Sequence, residues 1–169
     1  MNELFEVVHY TREHQDTLSS KFDCGNSDIN MFLLSSKSLD YGYGKTYVAI
    51  YNGEILGYYN ISTGHIEDEN GLRMGGSSFI NYFALDRKYQ KIRFGEGYLS
   101  DLLLSDCFNK VDYIRKNHIG FTFVTLSSTE EGKNLYERNG FELLDDDMRM
   151  AKNKGEETCT PMYLPLDYE

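Results

Sequence analysis

The dipeptide Asn52-Gly53, set between the runs KTYVAIY and EILGYYNIS, constrains the folding of this chain more than any other feature. Asn-Gly accepts the positive φ angles of a type I′ turn, whose twist matches that of two antiparallel strands. Its flanks are rich in the β-branched and aromatic residues that suit a pleated surface. The fold must therefore contain a sheet, and part of that sheet must be an antiparallel hairpin.

Other elements follow from spacing. Residues 4–9 alternate loosely and predict a first strand. FDCGNSDINMFLLSSKSLDYG turns at Gly25, offers Asn26 or Ser27 as an N-cap, and places Ile29, Phe32 and Leu33 on one helical face. The polar, glycine-containing residues 65–76 read as a loop, and SSFINYFALD reads as a strand. Residues 98–117 carry Leu99, Leu102, Leu103, Cys107, Val111 and Ile114 near a 3.6-residue period, the pattern of an amphipathic helix on a sheet. GFTFVTL predicts a buried strand. Ser128 and Glu131 have capping-box spacing for a short helix through Arg138, and Asn139-Gly140 supplies its stop. FELL and PMYLPL predict the last two strands, with DDD and KNKGEE in the connection between them. This order describes a mixed α/β layout, and 169 residues fit a single domain, 1–169.

Composition excludes several function classes. With 40% hydrophobic and 26% charged residues the chain has a folded protein's balance. No stretch approaches the roughly 18 apolar residues of a membrane span, and MNELFEVVHY lacks a signal peptide's basic start and apolar block. A cytoplasmic protein with no membrane partner is expected. Cys24, Cys107 and Cys159 are odd in number and widely spaced, and the four histidines show no ligand spacing, so neither a disulfide framework nor a metal is expected. The net charge of −10 disfavours a broad nucleic-acid face. It leaves room for one anion held locally, and it favours the approach of cationic substrates.

Against that charge, YQKIRFGEGYL stands out. Arg87, Lys88, Lys91 and Arg93 are four of seventeen basic residues, and they crowd just ahead of a helix whose N-terminus is already partly positive. A bound phosphate, cradled by first-turn N–H groups that glycines leave accessible, resolves the conflict. A solvated turn balanced by Glu96 is the plainer explanation. The spacing matches neither a P-loop nor a dinucleotide fingerprint.

Strand, basic glycine loop, helix, strand and then LSSTEEGKNLYERNGF make most of the chain resemble the GNAT-type N-acetyltransferases. Their acetyl-CoA motif, Q/R-x-x-G-x-G/A, fits in two registers. One starts at Gln90, uses Arg93 and Gly95, and puts Tyr98 and Leu99 where an apolar pair belongs. The other starts at Ile92, matches Gly95 and Gly97, and puts Ser100 and Asp101 there. The first is preferred, with Arg93 replacing the first glycine. FDCGNSDIN and KTYVAIYNGEILGYYNIST are similar to a branch that includes aminoacyl-tRNA-acetylating toxins.

The resemblance implies a single domain with a central, mostly antiparallel twisted sheet of six to seven strands flanked by helices. It implies acetyl-CoA as cofactor and coenzyme A as product. Pantetheine would lie beside residues 80–85, bonded by the backbone of Phe83, Ala84 and Leu85. The diphosphate would lie over Gln90, Lys91, Ile92, Arg93, Phe94 and Gly95, with Glu96 and Gly97 completing the loop. Tyr136 matches the tyrosine that often acts as general acid, and Thr129 stands where relatives often carry a cofactor-contacting asparagine. No general base is evident. Asp86 lies too far along its strand, His65 has suitable chemistry but reads more simply as an exposed loop residue, and Cys24 is assigned to packing. The expected activity is acetyl transfer to a primary amine of a small cationic molecule or of a peptide or protein, in a chain that can form a homodimer. The alternatives are an aminoacyl-tRNA-acetylating toxin paired with an antitoxin, for which nucleic acid would be a partner, and a non-catalytic coenzyme A-binding module.

Overall fold

The computed structural model describes residues 4–151 and 156–167, so residues 1–3 of the first run and 152–155 of KNKGEE lie outside it. Among the described residues the chain forms ten β-strands and four α-helices. Contacts divide it into two compact units, Met1–Ile61 with Tyr82–Phe108, and Ser62–Asn81 with Asn109–Glu169.

The first unit holds β1 (Glu6–His9), α1 (Arg12–Thr17), α2 (Ser27–Leu34), β2 (Lys45–Tyr51) and the opening half of β3 (Glu54–Asp68). It also holds the end of β4 (Arg73–Leu85), the short strands β5 (Arg93–Phe94) and β6 (Gly97–Tyr98), and the first half of α3 (Leu99–Asn117). The predicted hairpin is present: β2 pairs antiparallel with β3 from Lys45↔Ile61 to Tyr51↔Glu54, and β1 pairs antiparallel with β2. Asn52 and Gly53 take φ 48 and 75, as a type I′ turn requires.

Asn26 caps α2, its side chain accepting from the N–H groups of Asp28 and Ile29. The helix lays Phe32 and Leu33 into an aromatic core with Tyr10, Phe22, Val48, Ile55, Tyr58 and Ala84. Phe32 and Tyr82 stack with ring centroids 3.9 Å apart. Both fully buried phenols of this core find a carbonyl: Tyr10 donates to Leu33 O at 2.9 Å and Tyr58 to Ile29 O at 2.8 Å. These bonds prevent the loss that an unpaired buried hydroxyl brings. α1 was not anticipated; its box uses Thr11 as cap and His14 as the returning side chain, where Glu or Gln is usual.

The second unit holds the rest of β3 and β4, the second half of α3, β7 (Phe123–Ser128), α4 (Lys133–Arg138), β8 (Glu142–Leu143), β9 (Met148–Met150) and β10 (Thr160–Pro165). β4 and β7 are parallel from Ser77↔Phe123 to Ile80↔Leu126, as a crossover through α3 allows. The other recorded ladders are antiparallel: β10 with β7 and with β8, and β9 with β3.

Two expectations need correcting here. Residues 65–76 are not a loop: β3 runs to Asp68 and β4 starts at Arg73, leaving a tight turn in which the Asp68 carboxylate accepts from the N–H groups of Asn70 and Leu72. Gly71, at φ 77, lies in that turn, but Gly75 and Gly76 lie within β4 and Gly64 within β3, where a Cβ would meet Ser77 Oγ at 2.9 Å. Nor do Ser128 and Glu131 form a capping box. Ser128 ends β7 and donates to Thr129 O, and α4 starts only at Lys133, behind Gly132, with no side-chain cap. β9, on the connection between β8 and β10, is a further strand that the spacing did not reveal.

Candidate active site

The basic glycine loop belongs to the first unit. It leaves β4 through a turn centred on Asp86, whose buried carboxylate accepts from Asp23 N–H at 3.1 Å and Lys88 N–H at 3.0 Å. Gln90 Nε2 then donates to both Leu85 O, at 2.9 Å, and Cys24 O, at 2.8 Å. Gln90 is thus an anchor that ties the loop to the end of β4. Ala84 and Leu85 are buried and Phe83 partly so, just beyond the last β4 residue paired with β7.

The clustered cations divide into two pairs. Lys88 Nζ lies 2.6 Å from Glu54, and Arg87 Nε lies 3.6 Å from Asp23. Their positive charge is answered within the protein. Lys91 and Arg93 have no carboxylate partner among the described residues. Arg93 lies with its guanidinium carbon 5.1 Å from the centroid of the Tyr98 ring, a cation–π contact worth on the order of 0.5–1 kcal/mol at an exposed site. Lys91 adopts φ 58, a left-handed conformation uncommon for a residue with a Cβ.

β5 and β6 close the loop as a two-residue ladder, Arg93↔Tyr98 and Phe94↔Gly97, around Gly95 and Glu96. Gly95 has φ 62, and a Cβ there would meet nothing within 4 Å, so the tip is open to a ligand. Ile92 and Phe94 are exposed. Leu99 N–H donates to Ile92 O at 3.0 Å and Tyr98 N–H to Asp101 Oδ2 at 3.0 Å. Part of the amide set that the sequence offered to an anion is therefore engaged by the chain's own acceptors. Helix α3 starts at Leu99, which is buried.

Tyr136 and Thr129 belong to the second unit. Tyr136 is buried on α4, its ring edge-on to Phe141 with centroids 5.6 Å apart. A Cβ on Gly132 would come within 3.1 Å of Ser128 Oγ and 3.3 Å of the Tyr136 ring, so the turn after β7 passes closely beneath the phenol. Thr129 is exposed and its Oγ1 accepts from Gly132 N–H at 3.3 Å. Gly140, at φ 92, ends α4 beyond Asn139.

His65 lies on β3, not in a loop, with Nε2 2.7 Å from Glu67 Oε1. Cys24 packs against the aromatic core, and burial pushes its thiol pKa up, which makes it a poorer nucleophile. Cys107 is wholly buried and its thiol is pushed up further by the same cause. Among the described residues no group of three or more His, Cys, Asp or Glu side chains could hold a metal ion. No helix there is long and apolar enough to cross a membrane.

No protein-family profile and no curated protein sequence matches this chain. Solved structures do. One described as a bacterial toxin superposes with a TM-score of 0.74 at 23% identity, covering 96% of this chain and 90% of its own. A tyrosine-to-phenylalanine mutant of the toxin AtaT, bound to the C-terminus of the antitoxin AtaR and to acetyl-CoA, superposes with a TM-score of 0.71 at 19% identity over 95% and 92%. AtaT complexed with acetyl-methionyl-tRNAfMet gives 0.70 at 18% over 95% and 94%. What this chain shares with them is the fold, a mostly antiparallel sheet flanked by helices.

Proposed function

We propose that the chain is an acetyl-CoA-dependent N-acetyltransferase. The observation that carries this reading is that 95% of the chain shares its fold with an AtaT structure holding acetyl-CoA. The residues fit such a ligand: Gly95 is open at the loop tip, and Lys91 and Arg93 are cations with no carboxylate partner among the described residues. Gln90 to Gly97 would hold the diphosphate, and backbone groups of Phe83, Ala84 and Leu85 the pantetheine. When bound, acetyl-CoA supplies an activated acyl group and departs as a thiol.

The chain's own residues would do the rest. Tyr136 carries a phenol, a group that can give a proton to a leaving thiolate when it lies within hydrogen-bond reach. The attacking amine arrives neutral and loses its proton to water, since no side chain of the chain is assigned as a base. Thr129 would add a secondary contact to the cofactor.

For the acceptor, the first reading is a small cationic or peptide amine, favoured by the net charge of −10. The second is an aminoacyl-tRNA with an antitoxin as partner, favoured by the AtaT complexes with acetyl-methionyl-tRNAfMet and with AtaR. Thiol release from acetyl-CoA, measured across an amine panel that includes charged tRNA, tests both. Release with polyamines or peptides alone supports the first, and release with charged tRNA alone supports the second. Binding without release against every acceptor would refute the enzyme and leave a coenzyme A-binding module.

A further inference from the structure

Helix α3 opens on half of a capping box. Asp101, its third residue, reaches back so that Oδ2 accepts from Tyr98 N–H at 3.0 Å. The same oxygen lies 3.5 Å from the position a Cβ on Gly97 would take. A carboxylate therefore covers the glycine and holds the entry amide of a 19-residue helix, at the end whose partial positive charge favours an anion. The loop leading there presents Lys91, Arg93 and the open Gly95.

We infer that Asp101 is a resident anion with which the diphosphate of coenzyme A competes for the start of α3, so that Asp101 sets cofactor affinity. This inference rests on the acetyl-CoA reading above. The glycine loop gathers positive charge for a ligand, and Asp101 places one negative charge against the same amides. A bound diphosphate either displaces the carboxylate from Tyr98 N–H or binds against its repulsion, and affinity falls in both cases. Asp101 is then a positioning and affinity-setting residue with no part in the chemistry.

Asp101→Asn tests this with little disturbance, because the amide keeps an oxygen able to accept from Tyr98 N–H while the charge is lost. Calorimetric titration should show the variant binding coenzyme A roughly 2- to 5-fold more tightly at low ionic strength, the scale of one charge at a helix end. The gain should shrink as salt is raised and vanish with acetylpantetheine, which has no diphosphate. Asp16→Asn, a charge removed from the surface of α1, should leave coenzyme A affinity unchanged. Urea midpoints of the variants confirm that each is folded under the binding conditions. Unchanged or weaker coenzyme A binding by Asp101→Asn overturns the inference while the functional reading stands. A wild-type protein blind to coenzyme A at millimolar concentration overturns both.

Discussion

Gly57 is the position where one added carbon has the most to disturb. It lies on β3 opposite Ala49, and a Cβ there would stand 2.6 Å from the carbonyl oxygen of Ala84 and 2.8 Å from Leu103 Cδ2. Leu103 can turn its methyl away, but Ala84 O is backbone and can retreat only if β4 moves. An ordinary carbon–oxygen contact needs about 3.2 Å, so the strand must shift by roughly 0.6 Å. Overpacking of this kind destabilises by about 1–3 kcal/mol, and replacing glycine returns about 0.4–1 kcal/mol by restricting the unfolded chain. Gly57→Ala should therefore lose about 1–2 kcal/mol net, a fall in Tm of roughly 2–8 °C for a chain of this length. Urea denaturation should show a lower midpoint at an unchanged slope. The displaced strand ends at Leu85, which anchors Gln90, so coenzyme A binding should weaken as well. Gly53→Ala, where the added carbon meets nothing within 4 Å but φ is 75, should lose stability through backbone strain and leave binding alone. An unchanged or raised midpoint for Gly57→Ala would refute the close approach of β3 to Ala84.

Tyr136→Phe should lower turnover by about 100-fold or more and leave the coenzyme A dissociation constant unchanged, as steady-state rates with parallel calorimetry would show. Gln90→Ala removes the donor that bridges Leu85 O and Cys24 O; hydrogen exchange should quicken across residues 91–97 and coenzyme A affinity should fall several-fold. Tyr10→Phe strips a buried hydroxyl from Leu33 O and Ser19 and should lose about 1–2 kcal/mol in urea titration. Glu54 has its carboxyl held below the ordinary value by the hydrogen bond from Lys88. Its folded pKa is the depressed one, so the stabilisation is present above the ordinary carboxylate value and is lost as pH falls through the folded value. Wild type should thus lose more stability than Glu54→Gln between neutral pH and pH 3.

What could be read in advance was whatever is decided locally. A type I′ turn needs two positive φ angles, and Asn52-Gly53 supplies them; the buried Leu99, Leu103, Cys107 and Val111 mark α3 by their period alone. What could not be read depends on partners distant in the chain. Residues 65–68 look like loop because His65 and Glu67 are polar, yet β9, some eighty positions later, pairs with Ile66 to Asp68. Ser128 and Glu131 have the right spacing for a cap, but β7 is extended through Ser128 by its ladder with β10, which pushes the helix start to Lys133. LYERNGF marked Tyr136 and the turn at Gly140 correctly as helix and stop, while the closeness of Ser128 and Gly132 to the phenol appeared only in three dimensions.

The same distinction reshapes the question of why an acidic chain gathers cations before α3. Charge clustering alone treats Arg87, Lys88, Lys91 and Arg93 alike, although the resemblance implied only Lys91 and Arg93 as cofactor residues. Tertiary structure removes the first two, because Asp23 and Glu54 arrive from elsewhere in the chain to meet them, and it adds an opposing charge at Asp101. On the proposed reading the cations would have two duties: Arg87 and Lys88 are part of what fixes the turn beside the end of β4, and Lys91 and Arg93 would be left to meet the diphosphate. Substitutions should divide accordingly. Lys88→Met should alter stability more than coenzyme A affinity, whereas Lys91→Met should lower affinity with a reduced dependence on salt, because one fewer exposed charge faces the diphosphate. If both variants weakened binding equally while stability held, Lys88 would be a ligand residue after all, and the division of duties would be wrong.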